Sequence, residues 1–561
     1  MNIGNKYLKI DKNLKIKDLI AKLDNLKKNQ ESYRIAIKFD KKNFVDGVIS
    51  LGDLRRLIYR NKQDKYIYDY LNHNPYFLIK RSNIKKLDIY EKKFKEIIVK
   101  NCEDIFIYDN EKRLIDILSN SELNNDYSFK SICIVGLGHI GLPLMVHLLK
   151  KSNFITGYDI NKKTINDIKN LNLSFFERGL NPLLKYNFKK NKINLTNNLN
   201  RINSNIYIIC LGSDLKNKKI DNKNLISTLK KIGKKIYKNN LILIRGTTQV
   251  GFTNMIAKKI LEKESRLVCG HDFFLGHMPE RIVEGNAINE LENLPQIISG
   301  STENCLNRSL NFCKYFFQKV INTVSCEESE IIKLSSNAYR DLNFAFANEI
   351  SRIANLFNLS GHDLINKANL GYERNSIAKP GLGVGGFCLP KDVFLFNKMS
   401  EKKVKGYQFL ISRIINDNSL ERISNKKIKI FKQNLKKSGK ILILGGAFKG
   451  VPETIDIRNS SSIILSNKLS KKGIKNFIYD VKGKEIVKVN NYKKNFIFNI
   501  NKISNFDFII LSNNNPKYRD IFLEEISKKK NKTNKKKFLF DCWNMLDHEV
   551  CRSAGYEYFT I

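Results

Sequence analysis

The stretch from Ser131 to Asp159 constrains the fold more than any other part of the chain. Ser131-Ile-Cys-Ile-Val135 has the character of a buried strand, Gly136-Leu-Gly-His-Ile-Gly141 follows without a break, and Leu142 to Leu149 supplies the apolar face of a helix. A second short strand, Phe154 to Tyr158, ends at Asp159, 18 residues after the last glycine. Strand, glycine loop, helix, strand and acid in this order make a βαβ unit, and such units build parallel sheets covered on both faces. The glycines permit a tight turn and close backbone approach, so a pyrophosphate can rest on the helix N-terminus. A carboxylate at Asp159 accepts ribose hydroxyls and repels a 2′-phosphate. Dinucleotide binding is therefore expected, NAD rather than NADP, with Gly136, Gly138, His139, Ile140, Gly141 and Asp159 at the cofactor.

The pattern continues downstream. Ile206–Leu211 and Leu241–Ile244 read as strands that end in Gly212-Ser213 and Gly246-Thr247-Thr248, and ligands in such sheets bind beyond the carboxyl ends of strands. Glu327 to Phe357 carries apolar residues at helical spacing and reads as one long helix. A second αβ region begins near Lys440, with strands at Ile441–Leu444, Asn476–Tyr479, Phe506–Leu511 and Phe538–Phe540 and a helix at Ser461–Leu469. The expected class is α/β: two Rossmann-like doubly wound domains joined by a long central helix, plus a small N-terminal α+β module.

The first 125 residues have their own rhythm. Leu14–Leu26 has helical spacing, Arg34–Phe39 and Phe44–Ser50 are short strands around a turn at Asp40–Lys42, and a helix follows from Leu54. A weaker copy recurs as a strand at Asp104–Tyr108, a turn at Asp109–Lys112 and an apolar segment at Leu114–Leu118, so an imperfect tandem repeat is expected. Polar Ser119–Tyr127 reads as a linker. Gly47-Val-Ile-Ser-Leu-Gly-Asp-Leu-Arg-Arg56, with Tyr68-Asp-Tyr-Leu-Asn-His-Asn-Pro75, resembles a CBS-domain pair, which implies an adenine nucleotide as a ligand of this module. By that resemblance Asp53 of Ser50-x-x-Asp53 would accept ribose hydroxyls; the plainer reading of Ser-x-x-Asp is a capping box.

Charge is the strongest compositional signal. Lys and Arg number 99 against 55 Asp and Glu, a net +44, which attracts any polyanion. The lysines are nevertheless spread along the whole chain with no basic stripe interleaved with aromatics, which argues against a specific nucleic acid partner and for anionic small molecules. Runs at Lys528–Lys530 and Lys535–Lys537 read as a solvated loop. The 10 cysteines form no C-x-x-C pair and no zinc-spaced cluster, so no metal is expected and a reducing compartment fits best. There is no signal-peptide core and no apolar run of about eighteen residues, so a cytoplasmic chain without an integral membrane segment is expected.

Four clusters can carry chemistry. Met278-Pro-Glu-Arg-Ile-Val-Glu-Gly285 places Glu280 and Glu284 four apart, on one face if the segment is helical; Lys333 and Asn337 have the same spacing on the long helix. The loop Lys379-Pro-Gly-Leu-Gly-Val-Gly-Gly-Phe-Cys-Leu-Pro-Lys-Asp392 sets Cys388 behind glycines and beside Lys391, an electropositive setting that favours thiolate. The fourth is Gly445-Gly-Ala-Phe-Lys449 with Asp456-Ile-Arg-Asn-Ser460.

Together with the Gly136 fingerprint, Ala345-Phe-Ala-Asn-Glu349 and Gly385-Gly-Phe-Cys388, these clusters make residues from about Ser131 to Ile561 resemble the UDP-glucose/GDP-mannose dehydrogenase superfamily. The resemblance implies NAD-dependent oxidation of a UDP-sugar at C6 from alcohol to acid, for surface polysaccharide. It implies Cys388 as the nucleophile that forms a thiohemiacetal and then a thioester, Lys333 neutralising the oxyanion, Glu280 orienting or deprotonating water, and Asp392 and Asn337 positioning water and oxygen. Further cofactor contacts are implied for Ser213, Thr247, Glu284, Lys391 and Arg458. Glu280, Lys333, Asn337, Gly385 and Lys449 are implied on the substrate side, and a homodimer or higher homo-oligomer as the assembly. The implied domains are a regulatory module over 1–125, an NAD-binding domain over 131–320, a central helical and dimerisation domain with the cysteine loop over 321–425, and a UDP-sugar-binding domain over 435–561. A catalytically silent nucleotide-sensing regulator is the alternative from another class.

Several residues depart from the superfamily's pattern. Gly246 stands where a serine is usual, Ser213-Asp214 replaces a Thr-Pro pair, Arg178 replaces proline in Glu177-Arg-Gly-Leu180, and Asn513-Asn-Asn515 lies where histidine is common. Cys-x-x-Lys-Asp at 388–392 looks like the UDP-glucose type. Pro279-Glu-Arg281 and Asn293-Leu-Pro-Gln296 look like enzymes of UDP-N-acetylhexosamines, and the latter cluster covers more residues.

Overall fold

The computed structural model describes residues 7–10, 14–28, 35–42, 44–73, 77–79, 104–108, 113–119, 131–216, 219–400, 407–434, 439–500, 503–527 and 537–561. The expected turn at 109–112, the linker at 120–127 and the lysines at 528–530 and 535–536 lie outside these residues. The chain divides into two compact units, Met1–Ser128 and Phe129–Ile561.

In the first unit β1 (Leu8–Lys9) pairs in parallel with β2 (Ile35–Phe39), which pairs antiparallel with β3 (Val45–Ser50). The same arrangement recurs in β4 (Phe77–Ile79), β5 (Asp104–Tyr108) and β6 (Leu114–Ser119), with every strand start displaced by 69 residues. Even the register shift repeats, between Lys38 and Phe39 in one copy and between Ile107 and Tyr108 in the other. The tandem repeat is thus a structural fact. Ile16, Leu19, Ala36, Ile49, Leu54, Ile67 and Leu71 form a core under the first copy. Ser50 and Asp53 form a reciprocal capping box at the head of the helix Leu51–Tyr59, and Asp53 also pairs with Arg56.

The second unit is built on two sheets. The larger runs in the order β16-β15-β14-β13-β10-β7-β8-β9. Its strands are β7 (Ile132–Val135), β8 (Ile155–Tyr158), β9 (Ile193–Thr196), β10 (Ile206–Ile209), β13 (Leu241–Ile244), β14 (Phe274–His277), β15 (Gln296–Gly300) and β16 (Val320–Asn322), and β11 (Asp214–Lys216) with β12 (Lys219–Asp221) forms a separate hairpin. All neighbours pair in parallel except β14 with β15. The second sheet, order β19-β18-β17-β20-β21-β22, is parallel throughout: β17 (Lys440–Leu444), β18 (Lys475–Tyr479), β19 (Phe496–Ile497), β20 (Phe508–Leu511), β21 (Lys537–Asp541) and β22 (Tyr556–Thr560). Strands such as Ile-Tyr-Ile-Ile and Leu-Ile-Leu-Ile are buried at all four residues, as two covered faces require. Lys537, expected in a solvated loop, is the buried first residue of β21, with its ammonium on the Ser504 carbonyl.

Each sheet reverses direction beside its first strand, between β7 and β10 and between β17 and β20, and each opens a crevice there. The two turns match closely. Gly136 (φ +93°) donates to the Tyr158 carbonyl at 2.8 Å, and Gly445 (φ +101°) donates to the Tyr479 carbonyl at 2.8 Å. In each case the following acid, Asp159 or Asp480, accepts from loop amides.

The helix Cys326–Leu356 runs through the unit and packs on the helices Cys388–Ser400 and Tyr407–Asn434. Its Glu330 is fully buried and accepts from the amides of Gly251 (2.5 Å) and Thr253 (2.9 Å) and from the Thr253 hydroxyl (2.6 Å), which ties the helix to the turn after β13. Among the described residues no helix is long and apolar enough to cross a membrane.

Burial pushes the Glu330 carboxyl up to about 7 against the pull of these three donors. Between its unfolded value near 4.5 and about 7 the native state holds a proton that the unfolded chain has released. Stability from this group is therefore full below pH 4.5 and falls by roughly 3 kcal/mol as pH rises through 7. Denaturant unfolding followed by circular dichroism should show that slope, and Glu330→Gln, which has no ionisation, should flatten it. An unchanged slope in the variant would refute the assignment.

Candidate active site

The nucleotide crevice at β7 begins with a loop that admits no extra atoms. A Cβ at Gly141 would lie 1.9 Å from the Gly136 carbonyl oxygen, so the first turn of the helix Gly141–Leu148 packs directly on the glycine turn. Asp159 accepts from the Leu137 amide at 3.1 Å and the Asn161 amide at 2.9 Å, which aligns its carboxylate at the end of β8. Beyond β10 and β13 the hydroxyls of Ser213 and Thr248 are buried without a hydrogen-bond partner. Orphaned hydroxyls at the carboxyl ends of these strands, with a pinched glycine turn and an acid after β8, fit a dinucleotide. Gly246 is explained by space: a Cβ there would meet the Leu211 carbonyl oxygen at 2.0 Å.

Glu280 and Glu284, expected on one helical face, lie instead on an irregular loop after β14. Two features keep it from coiling: Pro279 has no amide hydrogen, and the Glu280 carboxylate itself takes the amides of Arg281 (2.7 Å) and Ile282 (2.8 Å). The other Glu280 oxygen is paired with Arg245, a fully buried side chain at the end of β13. Arg245 also donates to Gln296 Oε1 at 3.0 Å, and Gln296 donates to the Pro279 carbonyl at 3.2 Å, so the Asn293–Gln296 segment holds the Glu280 loop from behind.

Cys388 opens the helix Cys388–Ser400 and is exposed. Behind it, Asp392 is buried and bridges two partners: Asn337 Nδ2 donates at 2.6 Å to one oxygen, and Lys391 Nζ lies 2.6 Å from the other. This links the cysteine helix to the helix that carries Lys333 and Asn337. Lys391, expected at the cofactor, thus commits its ammonium to Asp392. The thiol also departs from expectation. Crowding by protein and the nearby Asp392 charge push the Cys388 thiol up, and Lys333, Lys391 and Arg458 pull it back only in part. The cations favour a thiolate; burial first, and then the carboxylate one helix turn on, outweigh them.

The C-terminal sheet closes the far side. Lys449 Nζ donates to the Glu284 carbonyl at 2.8 Å, and the Thr454 hydroxyl donates to the Glu284 carboxylate at 2.6 Å. Burial lowers the Lys449 pKa and raises that of Glu284. Arg458 holds Asp456 through contacts of 2.7–3.0 Å and lies 4.8 Å over the Phe387 ring. Its backbone carbonyl receives the Gly386 amide at 2.9 Å, and a Cβ at Gly385 would meet the Asn459 carbonyl oxygen at 2.7 Å. Where histidine is common, Asn514 accepts from the Gly450 and Val451 amides and Asn515 donates to Glu453, so the asparagines hold this loop.

His139 ties the two sides together electrostatically. It is held neutral, at about 4, by burial and by Arg458, and it also feels Asp456, Glu280 and Lys333. Cys388 in turn feels Lys333, Lys391, Asp392 and Arg458, and Lys449 feels Cys388 and Glu284. The dispersed sequence clusters therefore meet in one cleft between the carboxyl ends of both sheets. Sequence reasoning missed Arg245, Thr454 and Phe387. A lone arginine directly after four buried strand residues was the available signal for Arg245.

Comparison with known proteins agrees with this architecture. Residues 130–318 match the UDP-glucose/GDP-mannose dehydrogenase family NAD binding domain, 327–419 its central domain and 442–548 its UDP binding domain. A Methanocaldococcus jannaschii protein named UDP-N-acetyl-D-mannosamine dehydrogenase is 29% identical over 77% of this chain and 96% of its own length. A Campylobacter jejuni protein of the same name is 31% identical over 61% of this chain and 84% of its own length. The solved structure of a UDP-D-ManNAc dehydrogenase from Pyrococcus horikoshii superposes with a TM-score of 0.66 at 26% identity, covering 77% of this chain and 99% of that one.

The charge arrangement at the thiol has a measurable signature. Iodoacetamide modification of Cys388, followed by peptide mass spectrometry across pH, should show a midpoint above the ordinary thiol range. Asp392→Asn should move that midpoint down and Lys333→Gln should move it up; shifts of the opposite sign would refute the placement.

Proposed function

The chain belongs to the UDP-glucose/GDP-mannose dehydrogenase family, an NAD-dependent family of nucleotide-sugar oxidoreductases, and on that premise we propose that it oxidises a UDP-N-acetylhexosamine at C6 to the uronic acid. The names of its relatives favour UDP-N-acetyl-D-mannosamine within that class. The observation that carries the reading is the convergence of Cys388, Lys333, Glu280, Glu284 and Arg458 on one cleft from four separate parts of the chain.

The proposed roles are those the family resemblance implies, and the geometry supports them. The glycine turn at Gly136–Gly141, Asp159, Ser213 and Thr248 would hold NAD, which accepts a hydride in each of two oxidations. Cys388 attacks the aldehyde carbon left by the first oxidation; as the S–C bond forms, the carbonyl π pair moves to oxygen and the S–H proton passes to water. Lys333 faces the resulting oxyanion with a positive charge. The second oxidation leaves a thioester, so the aldehyde never escapes, and water then releases the acid and restores the thiol. Asn337, braced by Asp392, presents its amide oxygen toward substrate or water. Glu280, locked by Arg245 and two amides, orients that water as a fixed acceptor. From the C-terminal sheet, Lys449 serves the sugar side of the substrate and Arg458 a phosphate or the cofactor. Delivery of uronic acids to surface polysaccharide is the proposed role.

Two peripheral features belong to the same proposal. Tyr339, Phe346 and Ile353 leave an apolar stripe exposed at intervals of seven on the long helix, which supports self-association. The repeated first unit is proposed as a CBS-pair-like regulatory module for an adenine nucleotide.

Purified chain with NAD⁺ and a panel of UDP-sugars, followed at the NADH absorbance, tests the reading. The expected result is two NADH per sugar oxidised, highest for an N-acetylhexosamine. Cys388→Ser should lower acid formation by about a thousandfold or more while NAD⁺ still binds. Undiminished acid production by this variant, or no turnover of any UDP-sugar by the parent, would overturn it.

A further inference from the structure

Three consecutive side chains in the loop before the helix Leu180–Lys189 reach three different parts of the site. The Phe175 ring stands edge-on to His139 of the cofactor turn, with centroids 6.4 Å apart. Phe176 packs on the core of the C-terminal domain, with Lys482 4.4 Å over its ring. Glu177 is 7% exposed, and its carboxylate accepts from the Gly285 amide at 2.9 Å and the Ile288 amide at 3.4 Å. It thereby caps the segment that directly follows Glu284.

The other side of that segment is equally confined. Gly285 has φ +94°, and a Cβ there would lie 2.4 Å from the Glu453 carbonyl oxygen of the C-terminal domain. Glu284 is held by Thr454 and Lys449 from the same domain. Residues 284–285 are therefore clamped between Glu177 and the 449–454 loop, while the residue next to Glu177 is seated in the domain that carries that loop. A carboxylate buried on backbone amides of a distant loop is costly to leave unpaired, so this contact fixes backbone position.

We propose that Glu177 is a positioning residue for the reaction: it fixes the backbone at Gly285 from the tripeptide whose Phe176 docks in the C-terminal domain, and so sets where Glu284 stands when the two domains enclose substrate. The inference rests on the dehydrogenase reading of the site. It gives Glu177-Arg-Gly-Leu180 a purpose that tolerates arginine in place of proline, since Arg178 is exposed and the work is done by its neighbours.

Glu177→Ala and Glu177→Gln test it against the parent chain. The alanine variant should lose at least about tenfold in kcat, while the Kd for UDP, measured by calorimetry, stays within about twofold. The glutamine variant keeps an acceptor for the Gly285 amide and should recover kcat to within about threefold of the parent. An alanine variant with unchanged kcat overturns the inference, as does one in which kcat and UDP affinity fall together, the mark of a merely structural residue. A parent chain that is active while the variants behave this way leaves the reading of the site intact; an inactive parent removes both.

Discussion

One buried carboxylate determines where the reactive thiol stands. Asp392 joins the first turns of the cysteine helix to Asn337 on the long helix, with Lys391 on its second oxygen. Apolar contacts by themselves tolerate sliding and rotation between helices. The directional, charge-assisted bond from Asn337 to Asp392 does not. Because the partners are buried, removing one leaves an uncompensated group, at a cost of about 3–5 kcal/mol, so the constraint is stiff.

The same carboxylate has a chemical consequence. It stands close enough to Cys388 to oppose ionisation, and together with burial, the larger cause, it outweighs the cations around the thiol. A thiol that stays protonated at rest is protected from indiscriminate alkylation and oxidation, which is compatible with the nucleophilic role proposed for it. On the opposite wall, Arg245 gives Glu280 a similar stiffness. The site is thus assembled from acids and cations that are each fixed by a neighbour, a preorganised arrangement in which little has to move before charge develops.

Legibility in the sequence followed the range of the interactions. The Gly136 turn and Asp159 could be read from residues alone, because a βαβ unit is local: Gly136 donates to Tyr158 at the end of the next strand, and Gly141 packs on Gly136. The first unit's repeat could be read as well, since strand and turn spacing are local. The roles of Cys388, Lys333 and Glu280 came through family resemblance, which carries long-range information that spacing lacks. The helical reading of Glu280 and Glu284 failed because an interval of four is compatible with a helix but does not require one; Pro279 and the self-capping carboxylate chose a loop. Ser50-x-x-Asp53 fits two structures equally in sequence, and in the fold it caps a helix and pairs with Arg56.

By itself the sequence determined the fold class, the cofactor and the inventory of reactive groups, because periodicity, glycine turns and residue chemistry act over short distances along the chain. Only the tertiary structure decided the direction in which the thiol's pKa moves, the partner of Glu280, and the junction of Glu177 with Gly285. Each of those involves groups far apart in the chain, Arg458 70 residues from Cys388, Glu280 35 from Arg245 and Gly285 108 from Glu177, that meet only after the fold has packed. Electrostatic energies in a cleft depend on distance and burial, and neither quantity is written along a chain.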